Sequence, residues 1–159
     1  MRKEFVEYLE KQVEQNPNVI LVTADLGYGL FDSFKEKYPK NFIDCGSSEQ
    51  LMVGICTGLS YSGKIPVAYS ITPFIVFRPI ELIRNYVNRE KLNVKLISSG
   101  RDMDYEHDGF THWGHDDHII KHFENIMFLK PSTSELMSSL EKTFTHNGPV
   151  YLNLSKRYV

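Results

Sequence analysis

The sequence predicts an α/β fold, a three-layer arrangement in which helices cover both faces of a mostly parallel six-stranded sheet. Short apolar, β-branched runs recur from Val19 to Leu154, and segments of helical period separate them. The runs are too continuously apolar to be half-exposed strands, and strands of a sheet covered on both faces read this way. Gly, Pro and Asn signals fall between the segments, where turns are needed. With 159 residues, 42% apolar and 24% charged, the chain is long enough for one domain with a substantial core, and 1–159 is read as that domain.

Residues 2–15 have the spacing of a helix, with Phe5, Val6, Leu9 and Val13 on one face, and Asn16-Pro17-Asn18 stops it. Val19 to Thr23 is a buried strand. Residues 30–38 read as helical and end at Pro39, and Asn41 to Cys45 is a second strand. A helix over 48–62 follows, with Leu51, Met52, Ile55 and Leu59 on buried faces, Gly54 and Gly58 on a close-packing face, and Gly63 closing it. Ile65 to Ser70 is the third strand. Residues 75–90 are largely helical, with Pro79 near the start of the helix proper. Val94 to Ser98 is the fourth strand, 99–116 a long polar loop, 117–123 a short helix, and Ile126 to Leu129 the fifth strand. Ser132-Thr133-Ser134-Glu135 has the pattern of a capping box opening a helix with Leu136, Met137, Leu140 and Phe144 inward, and Val150 to Leu154 is the last strand.

The formal charge of −2 argues against nucleic acid as the main partner, and no apolar run approaches membrane-spanning length. The start, Met1-Arg2-Lys3-Glu4-Phe5, enters an amphipathic pattern directly and has no signal-peptide character. Cys45 and Cys56 lack metal-ligand spacing and read as reduced core thiols, which suits a cytoplasmic protein.

In parallel sheets, sites gather at the carboxyl ends of strands. The segments there are 24–29, 46–49, 71–77 and 99–116. Glu49 is one carboxylate among apolar or small residues, costly to bury without a partner. It reads either as a functional acid or as a first-turn Glu favoured by the helix dipole. Phe74 and Phe77 read either as core or as rings that stack on a planar ligand. Ala24 to Gly29 lacks the Lys-Ser/Thr of a phosphate loop and the third glycine of a dinucleotide fingerprint, and Asp25 reads as a turn cap. Four of the six histidines fall within the twelve residues 107–118. The loop reads as a metal site, although its spacing matches no strong zinc signature, as a loop presenting one or two histidines to a polar substrate, or as a solvated loop. Length favours function, because structureless loops this long are uncommon.

Taken in order, these segments resemble the pyrimidine-binding domain of the transketolase family of thiamine-diphosphate enzymes. The resemblance rests on Thr23-Ala24-Asp25-Leu26, on Gly46-x-x-Glu49-x-x-Met52-Val53-Gly54-Ile55-x-x-Gly58-Leu59, and on Thr72-Pro73-Phe74-x-x-Phe77 with Arg84-Asn85. Asp108-Gly109-x-Thr111-His112 and Lys130-Pro131-Ser132 complete it. It implies that Glu49 hydrogen-bonds N1′ of the aminopyrimidine, favouring the imino tautomer whose 4′-nitrogen takes a proton from the thiazolium C2. It implies that Phe74 and Phe77 pack on the pyrimidine, that Leu26 supports the bent cofactor, and that Asp25 lies near a subunit interface. His112 would hydrogen-bond oxygens of a bound sugar, with Asp108 and His107 beside it; the parts of His115 and His118 stay open.

The departures shape the expectation as much. The family's Gly-Asp-Gly, which with a later Asn holds Mg²⁺ and the diphosphate, is missing from this sequence. The sequence ends at Lys156-Arg157-Tyr158-Val159, which leaves no room for the family's C-terminal domain. The family's histidine after the fourth strand falls at Gly100 and a phosphate-binding serine at Gly29. The resemblance therefore implies a split enzyme for two-carbon ketol transfer. A separate chain would bring the diphosphate and Mg²⁺, this chain would make a homodimer contact within a heterotetramer, and a sugar would be the small-molecule substrate. A 2-oxo acid decarboxylase, a deoxyxylulose-phosphate-type condensation and a catalytically silent partner subunit are the alternatives on the same scaffold.

Overall fold

The structure is a computed structural model that describes residues 1–114 and 117–156. Its strands are β1 (Val19–Thr23), β2 (Phe42–Asp44), β3 (Ile65–Ile71), β4 (Lys95–Ser99), β5 (Met127–Leu129) and β6 (Val150–Leu154). Its helices are α1 (Arg2–Gln15), α2 (Asp32–Lys37), α3 (Glu49–Tyr61), α4 (Thr72–Phe77), α5 (Ile80–Leu82), α6 (Asp117–Ile120) and α7 (Leu136–Thr145). The sheet runs β2-β1-β3-β4-β6-β5, and every neighbouring pair is parallel. The expected sheet is thus present in full. Among the described residues no helix is long and apolar enough to cross a membrane.

Alternate strand residues feed two cores, as the pleat requires. Ile20, Val22, Ala68, Leu96 and Tyr151 face Met52, Val53 and Cys56 of α3 together with Ile75, Val76, Ile83 and Val87. Val19, Leu21, Val67, Ile97 and Leu152 face Phe5 and Leu9 of α1, Phe34 of α2 and Leu136 and Leu140 of α7. Two helix faces differ from expectation. The buried stripe of α3 is Met52, Val53, Cys56 and Thr57, which turns Leu51 outward at 51% exposure. Gly58 is also exposed and no atom would meet a Cβ there, so it serves no close packing within the chain. In α7, Met137 sits about 100° around the helix from Leu136 and points to solvent.

The stretch after β3 is broken more than its apolar pattern suggests. Pro73 occupies the first turn of α4, and Pro79, which lacks an N–H, separates α4 from α5. Six residues of π-helix, Ile83–Asn88, complete the crossover. Thr72 Oγ1 donates to Ser99 O at 3.1 Å, tying the start of α4 to the end of β4. Between β4 and α6 the loop is ordered by two short 3-10 turns, Glu106–Asp108 and Phe110–His112, and by an antiparallel bridge between Asp102 and Gly114.

Strand order reverses between β1 and β3: the chain moves from β1 outward to β2, then returns through α3 to the other side of β1. Such a switch point opens a crevice at the carboxyl ends of the strands. Residues leaving β1, entering α3 and leaving β3 all border it.

At the opposite end of the sheet, Lys95 is fully buried at the start of β4. Its Nζ donates to His146 O at 2.7 Å and Gly148 O at 2.8 Å. Burial pulls its pKa down to about 7. An unfolded lysine holds its proton up to about pH 10.4. The unfolded chain therefore binds more protons between these values, and this group makes stability rise with pH across that window, by at most about 1.4 kcal/mol per pH unit. Urea unfolding from pH 6.5 to 9.5 should show that rise in the native chain and a flatter profile in Lys95→Met.

Candidate functional site

The chain leaves β2 at Asp44, turns at Gly46 and enters α3. Ser48 caps the helix, its Oγ accepting from Leu51 N at 3.4 Å. Glu49 is the first helical residue, at the end where unpaired N–H groups favour an anion. The neighbouring loop is locked to this turn. Asp44 Oδ1 accepts from the backbone N–H groups of Asp25 and Gly46, each at 3.0 Å. Asp25 stands in the left-handed region at φ 54° and accepts from the Tyr28 hydroxyl and, at 2.9 Å, from Ser47 Oγ. These donors hold its carboxyl below the ordinary range. Asp25 thus closes its own turn through Tyr28 and joins it to the loop that carries Ser47. Leu26 is half-buried in the same loop and lines a shallow hollow with Tyr28, Phe31 and Phe42.

Glu49 is only 3% exposed. Its Oε2 accepts from Arg78 Nη1 at 2.7 Å, and Ser70 Oγ on β3 stands 3.5 Å from Oε1. The Arg78 guanidinium lies over the ring of Phe74, its central carbon 3.4 Å from the centroid. On Phe74 also rests His112, with ring centroids 5.0 Å apart, and His112 Nδ1 is 3.0 Å from Thr111 Oγ1. Four residues from three segments therefore form one chain of contacts: Glu49, Arg78, Phe74, His112. Phe77 is 46% exposed and, with Pro73, Phe110, Thr111 and Trp113, lines an apolar cavity of about 360 Å³ beside them.

The sequence-based expectation placed Glu49, Phe74, Phe77 and His112 in one site, and the fold brings them to one crevice. It passed over Arg78 and Ser70. Arg78 was within reach of the pattern, because it follows Phe74 by four positions and so shares its helical face. Ser70 carried no signal beyond its place at a strand end. Of the other loop residues, His107 and Asp108 are exposed, with His107 Nε2 3.8 Å from a Glu106 oxygen. His118 is exposed on α6, and His115 lies outside the described residues. Among the described residues no three His, Cys, Asp or Glu side chains converge as metal ligands.

A second polar cluster anchors the loop that carries His112. Lys130 Nζ bridges Asp102 Oδ1 at 2.6 Å and Asp117 Oδ2 at 2.7 Å, and Asn153 Nδ2 donates to Asp117 at 3.2 Å. Partial burial works against the charge on Lys130, but the two carboxylates outweigh it and raise its pKa. The cysteines are free: burial pushes both thiols up, although Cys45 is only half-buried.

Residues 1–159 match the family described as transketolase, pyrimidine binding domain. The chain belongs to this family. It is 31% identical to the putative transketolase C-terminal section of Methanocaldococcus jannaschii over 99% of its own length and 51% of that protein. It is 28% identical to the 6-deoxy-6-sulfo-D-fructose transketolase subunit SqwH of a Clostridium species, over 99% of the chain and 50% of that protein. A solved structure titled split gene transketolase, inactive beta4 tetramer, superposes with a TM-score of 0.85 at 28% identity, covering 99% of this chain and 51% of that one. The chain thus spans about half the length of the relatives it matches.

At Gly100, where the resemblance places the family's histidine after the fourth strand, the structure has no room for a side chain. A Cβ at Gly100 would stand 1.9 Å from the Tyr105 ring, and the backbone there has φ +83°. Tyr105 fills the space a side chain would need, with Arg2 Nη1 donating to its hydroxyl at 3.3 Å and Lys156 over its ring. Gly100→Ala should therefore cost about 2–4 kcal/mol in chemical denaturation. In a Tyr105→Ala background the same substitution should cost only the backbone strain, about 1 kcal/mol, a non-additivity that a double-mutant cycle reads directly.

Proposed function

We propose that this chain supplies the aminopyrimidine site of a thiamine-diphosphate-dependent enzyme of the transketolase type, with the diphosphate and Mg²⁺ held by a separate chain. The reaction is two-carbon ketol transfer from a ketose or ketose derivative to an aldehyde. The observation that carries the proposal is the buried carboxylate of Glu49, set at the carboxyl ends of the strands and joined to the Phe74 ring through Arg78. The fit to an aminopyrimidine is chemical. A buried carboxylate seeks a donor on a planar group, and an aromatic face beside it accepts stacking; a planar cation of this chain already exploits both.

When bound, thiamine diphosphate supplies a carbon nucleophile and an electron sink for making and breaking carbon–carbon bonds. Glu49 would hold the ring by sharing a proton with its N1′. Phe74 and Phe77 would pack on the pyrimidine, and Leu26 would support the cofactor. His112, with Asp108 and His107 in the turn before it, would hydrogen-bond oxygens of the substrate. The cavity lined by Phe77, Phe110 and Trp113 gives that side an apolar wall. Asp25, in the loop beside the crevice, lies toward a subunit boundary. Leu51, Gly58 and Tyr61 on the outer face of α3 are exposed, which supports a contact between copies within a heterotetramer. The names of the relatives support a ketose-type donor, since one is a subunit acting on 6-deoxy-6-sulfo-D-fructose. A cytoplasmic location suits free thiols and a sugar substrate.

The first experiment is calorimetric titration of thiamine diphosphate with Mg²⁺ into the chain alone and into its mixture with the protein encoded beside its gene. Tight binding only in the mixture supports the proposal, and tight binding by the chain alone overturns the division of the cofactor site. In the active mixture, Glu49→Gln should lower kcat by 10²-fold or more, on the order expected for loss of a positioned acid–base group. His112→Asn should lower turnover at least tenfold with cofactor affinity nearly unchanged; equal loss of both would show that His112 only supports the loop. Products decide the chemistry, a new ketose without CO₂ marking transfer and CO₂ release marking decarboxylation.

A further inference from the structure

Arg78 holds the two surfaces that the aminopyrimidine needs. Its Nη1 takes Glu49 Oε2 at 2.7 Å, and its flat face covers Phe74 at 3.4 Å. A guanidinium and an aminopyrimidine are chemically alike in this setting: each is planar, can meet a carboxylate through an N–H at one edge (the pyrimidine once N1′ has taken the shared proton) and stacks by its face on an aromatic ring. The carboxylate oxygen and the ring face cannot serve both at once. We infer that Arg78 is a built-in placeholder for the pyrimidine ring, pairing with Glu49 until the cofactor enters and leaving as it does. The inference rests on the proposed cofactor site and adds to it a positioning residue that sets cofactor affinity.

The two partners differ in the way an exchange requires. Glu49 is 3% exposed and fixed at a helix start, whereas the Arg78 side chain is 46% exposed. The guanidinium regains water when it leaves, whereas the carboxylate cannot follow and stays buried until another donor takes the arginine's place. Arg78 also stands at the end of α4, directly before the break at Pro79, so no continuing α-helix confines its side chain. The placeholder has two effects. It keeps a buried acid satisfied before cofactor arrives, and it lowers apparent cofactor affinity by the fraction of molecules in which the site is closed.

Cofactor titrations of the chain mixed with its partner, using thiamine diphosphate and Mg²⁺, test the exchange in native, Arg78→Gln and Arg78→Lys chains. Arg78→Gln should bind cofactor about tenfold more tightly than the native chain, since the closed state disappears. It should also melt at lower temperature without cofactor, and the difference should close at saturating cofactor, where Arg78 has already left Glu49. Unchanged or weaker affinity, with a melting deficit that persists at saturation, would mean a fixed ion pair and overturn the exchange. Should Arg78→Gln fail to fold, Arg78→Lys carries the test. It keeps the charge opposite Glu49 but not the flat face, and should bind cofactor several-fold more tightly; equal or weaker affinity overturns the exchange. A native mixture that gives no binding heat would reject the cofactor site itself and the exchange with it. Native binding with unaltered variants rejects the exchange alone.

Discussion

A carboxylate buried at a helix start is the constraint around which this site is built. Removing Glu49 from water costs several kcal/mol unless donors replace the lost hydration. The fold supplies three: the positive end of α3, the Ser70 hydroxyl at the end of β3, and the Arg78 guanidinium from the turn after α4. Each comes from a different segment. The acid is stable only when β3, α3 and α4 are correctly assembled, which couples the local chemistry to the global topology. A purely structural role explains this arrangement poorly. An apolar residue in place of Glu49 would pack the same position without a desolvation cost and free Arg78 altogether.

The topology explains why these segments meet. A parallel sheet sends each chain exit to the same edge, and the reversal of order between β1 and β3 separates the crossovers on either side of one crevice. The backbone N–H of Asp25 and that of Gly46 share the Asp44 carboxylate, so the exits of β1 and β2 move as one unit. Thr72 bonded to Ser99 does the same for β3 and β4. The floor of the crevice is therefore stiff. The groups that can move lie above it: the half-exposed Arg78 side chain, and the exposed Phe77 and Phe110 rings.

The sheet was legible in the sequence because strands buried on both faces allow little but β-branched and apolar residues, and Val19–Thr23 or Val150–Leu154 has no other sensible reading. Glu49 was legible as a problem, a charge where the pattern buries residues, though periodicity could not name its partner. Arg78 lies 29 positions away, and only the crossover through β3 brings it back. Leu51 and Met137 misled for a related reason. Their apolar character predicts burial, but a helix on a sheet buries one stripe, and Met52 and Leu136 had already claimed it. Surface left apolar in this way is the kind a partner covers. The loop after β4 was legible by composition but not by shape, because its order comes from side-chain bonds to distant strands.

Those bonds reveal how the loop reconciles holding and presenting. Gly114 N donates to Asp102 O at 2.8 Å, and a Cβ on Gly114 would come 2.8 Å from the Asp102 nitrogen, so the two ends of the loop approach as closely as backbone allows. Arg101, 7% exposed, donates to Pro131 O at 2.7 Å, and Asp104 accepts from Ser155 Oγ at 2.9 Å and Lys156 N at 2.6 Å. The base of the loop is thereby pinned to the β5 and β6 exits. Its tip, from Glu106 to Thr111, is exposed. His112 sits at the junction, its ring against Phe74 and therefore against the same stack that ends at Glu49. A change at one end of that stack, such as a planar group replacing the Arg78 guanidinium, is felt by the imidazole through one intervening ring. Glu49 and the orientation of His112 are thus linked by direct packing through Arg78 and Phe74, with no need for a motion of the sheet beneath them.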